Sequence, residues 1–337
     1  MNASRWLKAA CLVGGYAAYR TAVAYSRRYD FQYCVVVVTG GSRGLGLVLA
    51  RQLADQGARL AICARDEDQL TRAADELRSR GAEVFNQRCD LTRAEQISEF
   101  FQAVRQRFGS VDVLINNAGV IQVGPLENQT EEDFENALAI HLWAPLRCME
   151  EVLPDMRRRG AGRIVNISSI GGKLAVPHLL PYSASKFALV GLSRGYRCEL
   201  AKDGIYVTTV CPGLMRTGSP RNALFKGQHR AEYAWFTIGG AWPPASMDVE
   251  RAASQILKAC RNGRAEITLS LPAKVAAIAG SVAPELVADL SSVAARLLPA
   301  AGGIGSETAR GSESESAWAP SMLTLPNERA ALRNNEF

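Results

Sequence analysis

The run YCVVVV (33–38), followed at once by TGGSRGLG (39–46) and the helix-like GLVLARQLADQG, constrains this chain more than any other feature. Four valines in succession leave no polar face, which suits a strand buried on both sides. The same alternation then recurs. RLAIC (59–63) precedes a helix near 67–80, and EVFNQRCD (83–90) one near 93–108. VDVLINNAG (111–119) precedes a helix near 131–159, and GRIVNISS (162–169) a helix carrying Tyr182. IYVTTVCPG (205–213), a helix near 248–261 and EITLS (266–270) complete the series. Parallel strands need crossover connections, and helical crossovers cover both faces of a sheet. The pattern predicts an α/β fold: a Rossmann-type, doubly wound parallel β-sheet with helices on both faces, in a single domain over 33–270. Extensions flank it. Residues 1–32 are basic and apolar, and 271–300 read as two apolar helices split near Pro284. Residues 301–337 shift to Gly, Ser and Glu, which predicts a disordered tail.

Apolar content of 47% and charged content of 21% suit a chain that buries a sizeable core. The net charge of +6 comes mostly from the N-terminus, and no basic stripe is interleaved with aromatics, so nucleic acid is not an expected partner. The eight cysteines include no C-x-x-C pair and the three histidines stand apart, so no metal site is expected. Several cysteines fall in apolar runs, which predicts reduced thiols and a cytoplasmic protein.

Arg5, Lys8, Arg20, Arg27 and Arg28 precede the first acid, Asp30. Between them AACLVGGYAAY is an apolar run of eleven, shorter than the roughly 20 residues of a membrane span. Ala22-Val23-Ala24 resembles a signal-peptidase site, but a cut there leaves under ten residues before the first core strand. The pattern of Trp6, Val13, Tyr16 and Arg20 fits a helix docked on the protein or lying on a membrane surface.

In TGGSRGLG, Gly40, Gly44 and Gly46 remove side chains where backbone must approach a pyrophosphate, and the helix that follows offers it unpaired N–H groups. The spacing is G-x-x-x-G-x-G, not the commoner G-x-G-x-x-G. Downstream, Tyr182 and Lys186 are four apart and share a helix face, with Ser169 thirteen positions upstream of the tyrosine. A tyrosine with a pKa of about 10 is a poor acid or base at neutral pH, and a nearby ammonium favours its phenolate.

With TGGSRGLG, Asp90, NNAG (116–119), Ser169…Tyr182-x-x-x-Lys186 and CPG (211–213) with Thr217 in this order, the chain resembles the short-chain dehydrogenase/reductase family over residues 33–270. The resemblance implies a nicotinamide cofactor and hydride transfer at a carbonyl or secondary alcohol. It implies Tyr182 as general acid/base, Lys186 lowering its pKa and binding the nicotinamide ribose, and Ser169 rather than Ser168 orienting the substrate oxygen. It places Gly40, Ser42, Arg43, Gly44, Leu45 and Gly46 along the cofactor. Asp90 and Leu91 would flank the adenine, and Asn117, Ala118 and Gly119 the ribose. Pro212, Gly213 and Thr217 would hold the nicotinamide end. A dimer or tetramer is also implied.

One position departs from the family pattern. Where many members carry Asn in a V-N-L-x-G stretch, this chain reads Ile140-His141-Leu142-Trp143-Ala144. His141 is either a proton-relay residue or a core histidine satisfied by backbone. The cofactor is predicted to be NADP(H). Asp66 lies where an NAD-binding carboxylate would, yet Asp66-x-x-Gln69 reads as a helix cap, while Arg43 and Arg65 suit a 2′-phosphate.

The segment after the P-G motif, where this fold reads its substrate, carries Leu214, Met215, Leu224, Phe225, Tyr233, Trp235, Phe236 and Trp242, with Glu232 its one acid before Asp248. That composition predicts an apolar carbonyl or alcohol substrate, lipid-, steroid- or long-chain-like, with Lys173 and His178 at the pocket rim. The competing reading is an NADP-binding sensor or scaffold that kept the fold and lost the chemistry.

Overall fold

The valines of 35–38 supply two cores at once. In the computed structural model, which describes residues 14–15 and 18–337, all four are fully buried. Val36 and Val38 face one apolar cluster with Leu47, Leu49 and Ile256, whereas Val35 and Val37 face a second with Phe100, Phe101 and Met149. A strand with helices on both sides has no use for alternation.

The strands are β1 (Val35–Thr39), β2 (Arg59–Ala64), β3 (Val84–Arg88), β4 (Val113–Asn116), β5 (Gly162–Ile167), β6 (Ile205–Cys211) and β7 (Glu266–Thr268). They form one parallel sheet in the order 7-6-5-4-1-2-3. The order reverses between β1 and β4, where Val38 stands level with Ile62 on one side and Ile115 on the other. A crevice at such a switch point, outside the carboxyl ends of the strands, is where this architecture binds ligands.

The main helices are α1 (Gly44–Ala54), α2 (Glu67–Ser79), α3 (Ala94–Phe108), α4 (Glu131–Leu138), α5 (Ala144–Arg159), α6 (Leu180–Leu200), α7 (His229–Ala241), α8 (Val249–Arg261), α9 (Leu271–Val282), α10 (Pro284–Ala295) and α11 (Leu325–Arg333). The single helix expected over 131–159 is broken by a π turn at Ala139–Trp143, centred on His141. Pro145 accounts for it. It has no N–H to give the His141 carbonyl four residues back, and its ring crowds that carbonyl, so the turn widens.

α9 and α10 divide at Pro284 as expected, but they contribute little to the core: Ala273 is the one fully buried residue on the pair. Leu271, Val275, Ile278, Val282, Leu286 and Leu290 are all exposed.

The expected disordered tail is instead ordered. Ala309–Arg310 pairs antiparallel with Leu224–Phe225, which pairs in turn with Gln122–Val123. α11 lies on α7, where Asn327 Nδ2 donates to the Thr237 carbonyl at 3.1 Å. Ser314, Thr324 and Asn327 are buried and each has a hydrogen-bond partner. Polar composition predicted solvation, but it does not register where specific partners wait for those groups.

Trp6, Val13 and Tyr16 lie outside the described residues. The chain that follows is docked: the Arg27 carbonyl accepts from the buried Arg163 at 2.7 Å, and Phe31 is fully buried. Among the described residues no helix is long and apolar enough to cross a membrane.

Candidate active site

Of the residues singled out in the sequence, Tyr182 and Lys186 lie on α6 and His141 in the π turn, and the rest follow the carboxyl ends of six strands. Gly40 to Gly46 follow β1, Arg65 follows β2, Asp90 and Leu91 follow β3, and Asn117 to Gly119 follow β4. Ser169 follows β5, and Pro212 to Thr217 follow β6.

The glycine turn is a cradle that side chains would fill. Gly40 has φ +63, and a Cβ there would lie 2.9 Å from the Ala118 Cα. A Cβ on Gly46 would lie 2.1 Å from the Gly40 carbonyl oxygen. Asn117 ties the turn down, its Nδ2 donating to the carbonyls of Thr39 and Gly40, both at 3.1 Å. The Thr39 hydroxyl accepts from the Asn117 and Ala118 N–H groups. Asn117 and Ala118 thus set the shape of the turn. Backbone brought this close to a helix start fits a dinucleotide's pyrophosphate.

Asp66 accepts from the Gln69 N–H at 2.9 Å, capping α2 as its spacing predicts. Arg43 Nη1 donates to Gln69 Oε1 at 3.1 Å. Burial, and the charge of Arg65 nearby, lower its pKa. Asp90 accepts from the Thr92 N–H and hydroxyl, and these bonds with the Arg65 charge hold its carboxyl below the usual range despite burial. Arg65 therefore lies close enough to both Arg43 and Asp90 to act on their charge. Leu91 is buried in the second core cluster.

At the other end of the crevice, the two adjacent serines have separate duties. The Ser168 hydroxyl donates to the Lys186 carbonyl at 3.0 Å, holding the helix backbone. The Ser169 hydroxyl accepts from the Gly171 N–H at 3.0 Å and hydrogen-bonds the Tyr182 phenol. Ile170 N–H donates to the Pro212 carbonyl at 2.7 Å, joining the serine loop to the P-G motif. The Thr217 hydroxyl donates to Ser219 Oγ at 2.8 Å.

Lys186 is 4% exposed, its Nζ donating to the Ile167 carbonyl at 3.0 Å and lying 5.6 Å from the Tyr182 ring centre. Burial lowers its pKa to about 7. Burial also pushes the Tyr182 phenol up, against the Ser169 hydrogen bond that pulls it down. The expectation that the lysine lowers the phenol is not met in this geometry. Desolvation outweighs pairing for both groups and favours their neutral forms.

His141 is 1% exposed and fully engaged. Its Nε2 accepts from the Val120 N–H at 3.2 Å, which assigns the proton to Nδ1. Nδ1 then donates to Ser185 Oγ at 2.8 Å, and the Ser185 hydroxyl donates to the Tyr182 carbonyl at 2.8 Å. The ring meets Tyr182 edge-on at 5.5 Å. Burial first, and the Lys186 charge second, hold the imidazole well below its ordinary pKa. Gly119 closes this side, since a Cβ there would lie 2.9 Å from His141 Nε2.

The segment after the P-G motif splits by burial. Phe225 and Tyr233 are its own core, packed edge-on at 5.5 Å. They join Val123, Leu179, Ala223 and Ala319 in a cluster against which Tyr182, Trp235 and Phe236 pack. Leu214 and Trp242 are exposed. Glu232 is fully buried, bonded by His178 Nδ1 at 2.8 Å and Trp235 Nε1 at 2.6 Å. Lys173 pairs with Glu266 at 2.6 Å.

Residues 34–224 match the family model described as short chain dehydrogenase. The chain belongs to the short-chain dehydrogenase/reductase family. It is an oxidoreductase of the kind that acts on CH–OH or carbonyl groups with a nicotinamide cofactor. It is 42% identical over 185 residues to a protein assigned as ketoacyl reductase 1 of the granaticin polyketide synthase of Streptomyces violaceoruber, covering 54% of this chain and 68% of that one. Its structure resembles that of a variant actinorhodin polyketide ketoreductase with NADPH, at 34% identity and a TM-score of 0.63, covering 71% of this chain and 95% of that one. It also resembles a short-chain dehydrogenase/reductase from Burkholderia phymatum in complex with NAD, at 25% identity and a TM-score of 0.71, covering 77% of this chain and 96% of that one.

Within this dehydrogenase/reductase, three features escaped the sequence reading. Ser185 links His141 to the Tyr182 backbone. Lys226 and Asp133 form a buried ion pair at 2.6 Å that pins the segment after the P-G motif to the start of α4. Asn116, Asn166, Ser193 and Thr209 form a buried hydrogen-bonded chain across β4, β5, α6 and β6. Pro145 was the visible signal for the π turn; the other contacts join residues far apart in the chain.

Proposed function

We propose that the protein interconverts a carbonyl and a secondary alcohol on an apolar substrate with NADP(H). The observation that carries this reading is the apolar cluster of Val123, Leu179, Phe225 and Tyr233, against which the Ser169-bonded Tyr182 packs. A carbonyl held at that hydroxyl pair has a proton donor on one side and apolar wall on the other. When bound, a nicotinamide would supply or accept the hydride at the substrate carbon. In reduction the Tyr182 phenol gives its proton to the substrate oxygen, with Ser169 holding that oxygen; in oxidation the phenolate takes the proton back. Lys186 would hold the ribose and, in the fraction that is protonated at its pKa of about 7, lend charge to the phenolate.

Gly40, Ser42, Gly44, Leu45 and Gly46 would cradle the pyrophosphate, with Asp90 and Leu91 at the adenine and Asn117, Ala118 and Gly119 behind the ribose. Pro212, Gly213 and Thr217 would take the nicotinamide end. Arg43 beside Arg65, with Asp66 occupied as a cap, supports NADP(H) over NAD(H). Of the two readings of His141, its two engaged nitrogens support the satisfied core histidine over the relay. The exposed apolar stripe of α9 and α10 supports a surface contact, either peripheral on a membrane or between subunits of an oligomer. The described cysteines are free thiols, in keeping with a cytoplasmic location.

An NADPH-oxidation screen across apolar ketones and aldehydes, with Tyr182→Phe as control, tests the reading. Turnover of at least one apolar ketone, with kcat/KM higher for NADPH than for NADH and lost in Tyr182→Phe, is expected. Tight NADPH binding with no turnover, unchanged by the substitution, would replace it with the sensor reading.

A further inference from the structure

The last four residues of the chain end on the glycine turn. The Asn334 carbonyl accepts the Gly44 N–H at 2.9 Å, an N–H from the first turn of α1. Arg51 fixes this stretch by donating to Asn334 Oδ1 at 2.7 Å and to the Arg333 carbonyl at 2.8 Å. Asn335, at φ 57, takes a left-handed conformation that asparagine tolerates. Its Nδ2 donates to the Ser42 carbonyl at 2.9 Å and the Gln69 carbonyl at 2.8 Å, and its Oδ1 accepts from Arg72 at 2.9 Å. Arg221 stacks on the Phe337 ring at 4.4 Å.

Glu336 stands at the centre of this contact. It is 3% exposed, and its Oε1 accepts the Gly218 N–H at 2.7 Å. A Cβ on Gly44 would lie 3.4 Å from its carboxyl, and one on Gly218 3.0 Å. The side chain therefore fills the space between the glycine turn and the loop after the P-G motif, with the Arg43 guanidinium as its charged neighbour. Carboxyl groups are not buried without partners, and these partners are an anion site: a glycine-lined helix start, a loop N–H and an arginine.

We propose that Asn334–Glu336 compete with the dinucleotide for its own cradle, the Glu336 carboxyl standing where a phosphate would, so that cofactor enters only as the tail leaves. The inference rests on the reading of 39–46 as the pyrophosphate cradle. Three separate elements contribute, namely the glycine turn, α2 through Gln69 and Arg72, and the loop at Gly218–Asn222. A tail lying there by chance would not meet groups on all three. Backbone atoms and not only charges are engaged, so the competition is steric as well as electrostatic.

The test compares the full chain with Glu336→Ala and Asn335→Ala by NADPH titration, with amide exchange at 334–337 read in both states. The Kd for NADPH should fall about tenfold in Glu336→Ala, the scale of one hydrogen bond. In the unaltered chain, saturating NADPH should speed exchange at 334–337. A Kd that is unchanged or higher in both variants, or NADPH that protects 334–337, would make the tail a cover over bound cofactor and overturn the competition alone. If no form binds NADPH or NADH, the cradle reading itself has failed and the competition with it.

Discussion

The two ends of the crevice are built from different materials. The end proposed for the nucleotide is backbone: glycines, a helix start, and Asn117 holding two carbonyls in place. The end proposed for the chemistry is side chains, of which Lys186 and His141 are almost wholly buried and held toward their neutral forms. A site made of backbone has a fixed shape and accepts any anion that fits, including a carboxyl of the same chain. A site made of buried side chains has a fixed position but a protonation state that depends on what enters with the ligand.

The comparison can be broken most sharply with Tyr182→Phe and Gly46→Ala. The tyrosine variant should lose about 10²- to 10⁴-fold in kcat while NADPH affinity stays within about threefold. The glycine variant should lose binding first, because its Cβ meets the Gly40 carbonyl, and fold less stably by about 1–3 kcal/mol. Stopped-flow turnover, nucleotide titration and thermal melts separate the two. Loss of turnover in Gly46→Ala with full nucleotide affinity would erase the distinction.

A smaller effect bears on His141. His141→Ala leaves the Val120 N–H and the Ser185 hydroxyl without their partner, each a loss of about 1–3 kcal/mol. It should lower kcat about tenfold while the pH profile keeps its shape, and His141→Asn should recover part of the rate. A profile that changes shape in His141→Ala would restore the relay reading.

The smallest effect is a pH dependence at the nucleotide end. Burial raises the Glu336 carboxyl to about 7, against the Gly218 bond and the Arg43 charge that lower it. A carboxyl raised in the folded state is bound best when protonated. Its contribution to tail docking is complete below the ordinary carboxyl range and is lost as pH rises through about 7. Protection of the Gly218 amide relative to Glu336→Gln should therefore fall between pH 6 and 8. A flat ratio across that window would remove the carboxyl's role.

Much of this site is legible in the sequence. The valine run, the glycine turn and the Asp66 cap depend on local geometry, and residues near in sequence show it. Ser169 could be preferred to Ser168 on spacing to Tyr182. What was not legible joins distant positions: Lys226 to Asp133, Ser185 to His141, Glu336 to Gly218. The order of the tail is hidden for the same reason, since its residues are polar and only their partners, some hundred to nearly three hundred positions away, bury them.

By itself the sequence determined the strands and the order of the motifs, because periodicity and spacing are properties of the chain. The tertiary structure alone decided their state. Desolvation, not the adjacent ammonium, governs Tyr182 and Lys186, and a burial cost is a sum over neighbours that no local pattern contains. The same holds at the glycine turn: its shape is written in TGGSRGLG, but its contact with the chain's own last residues exists only once the fold has brought the two ends of the molecule together.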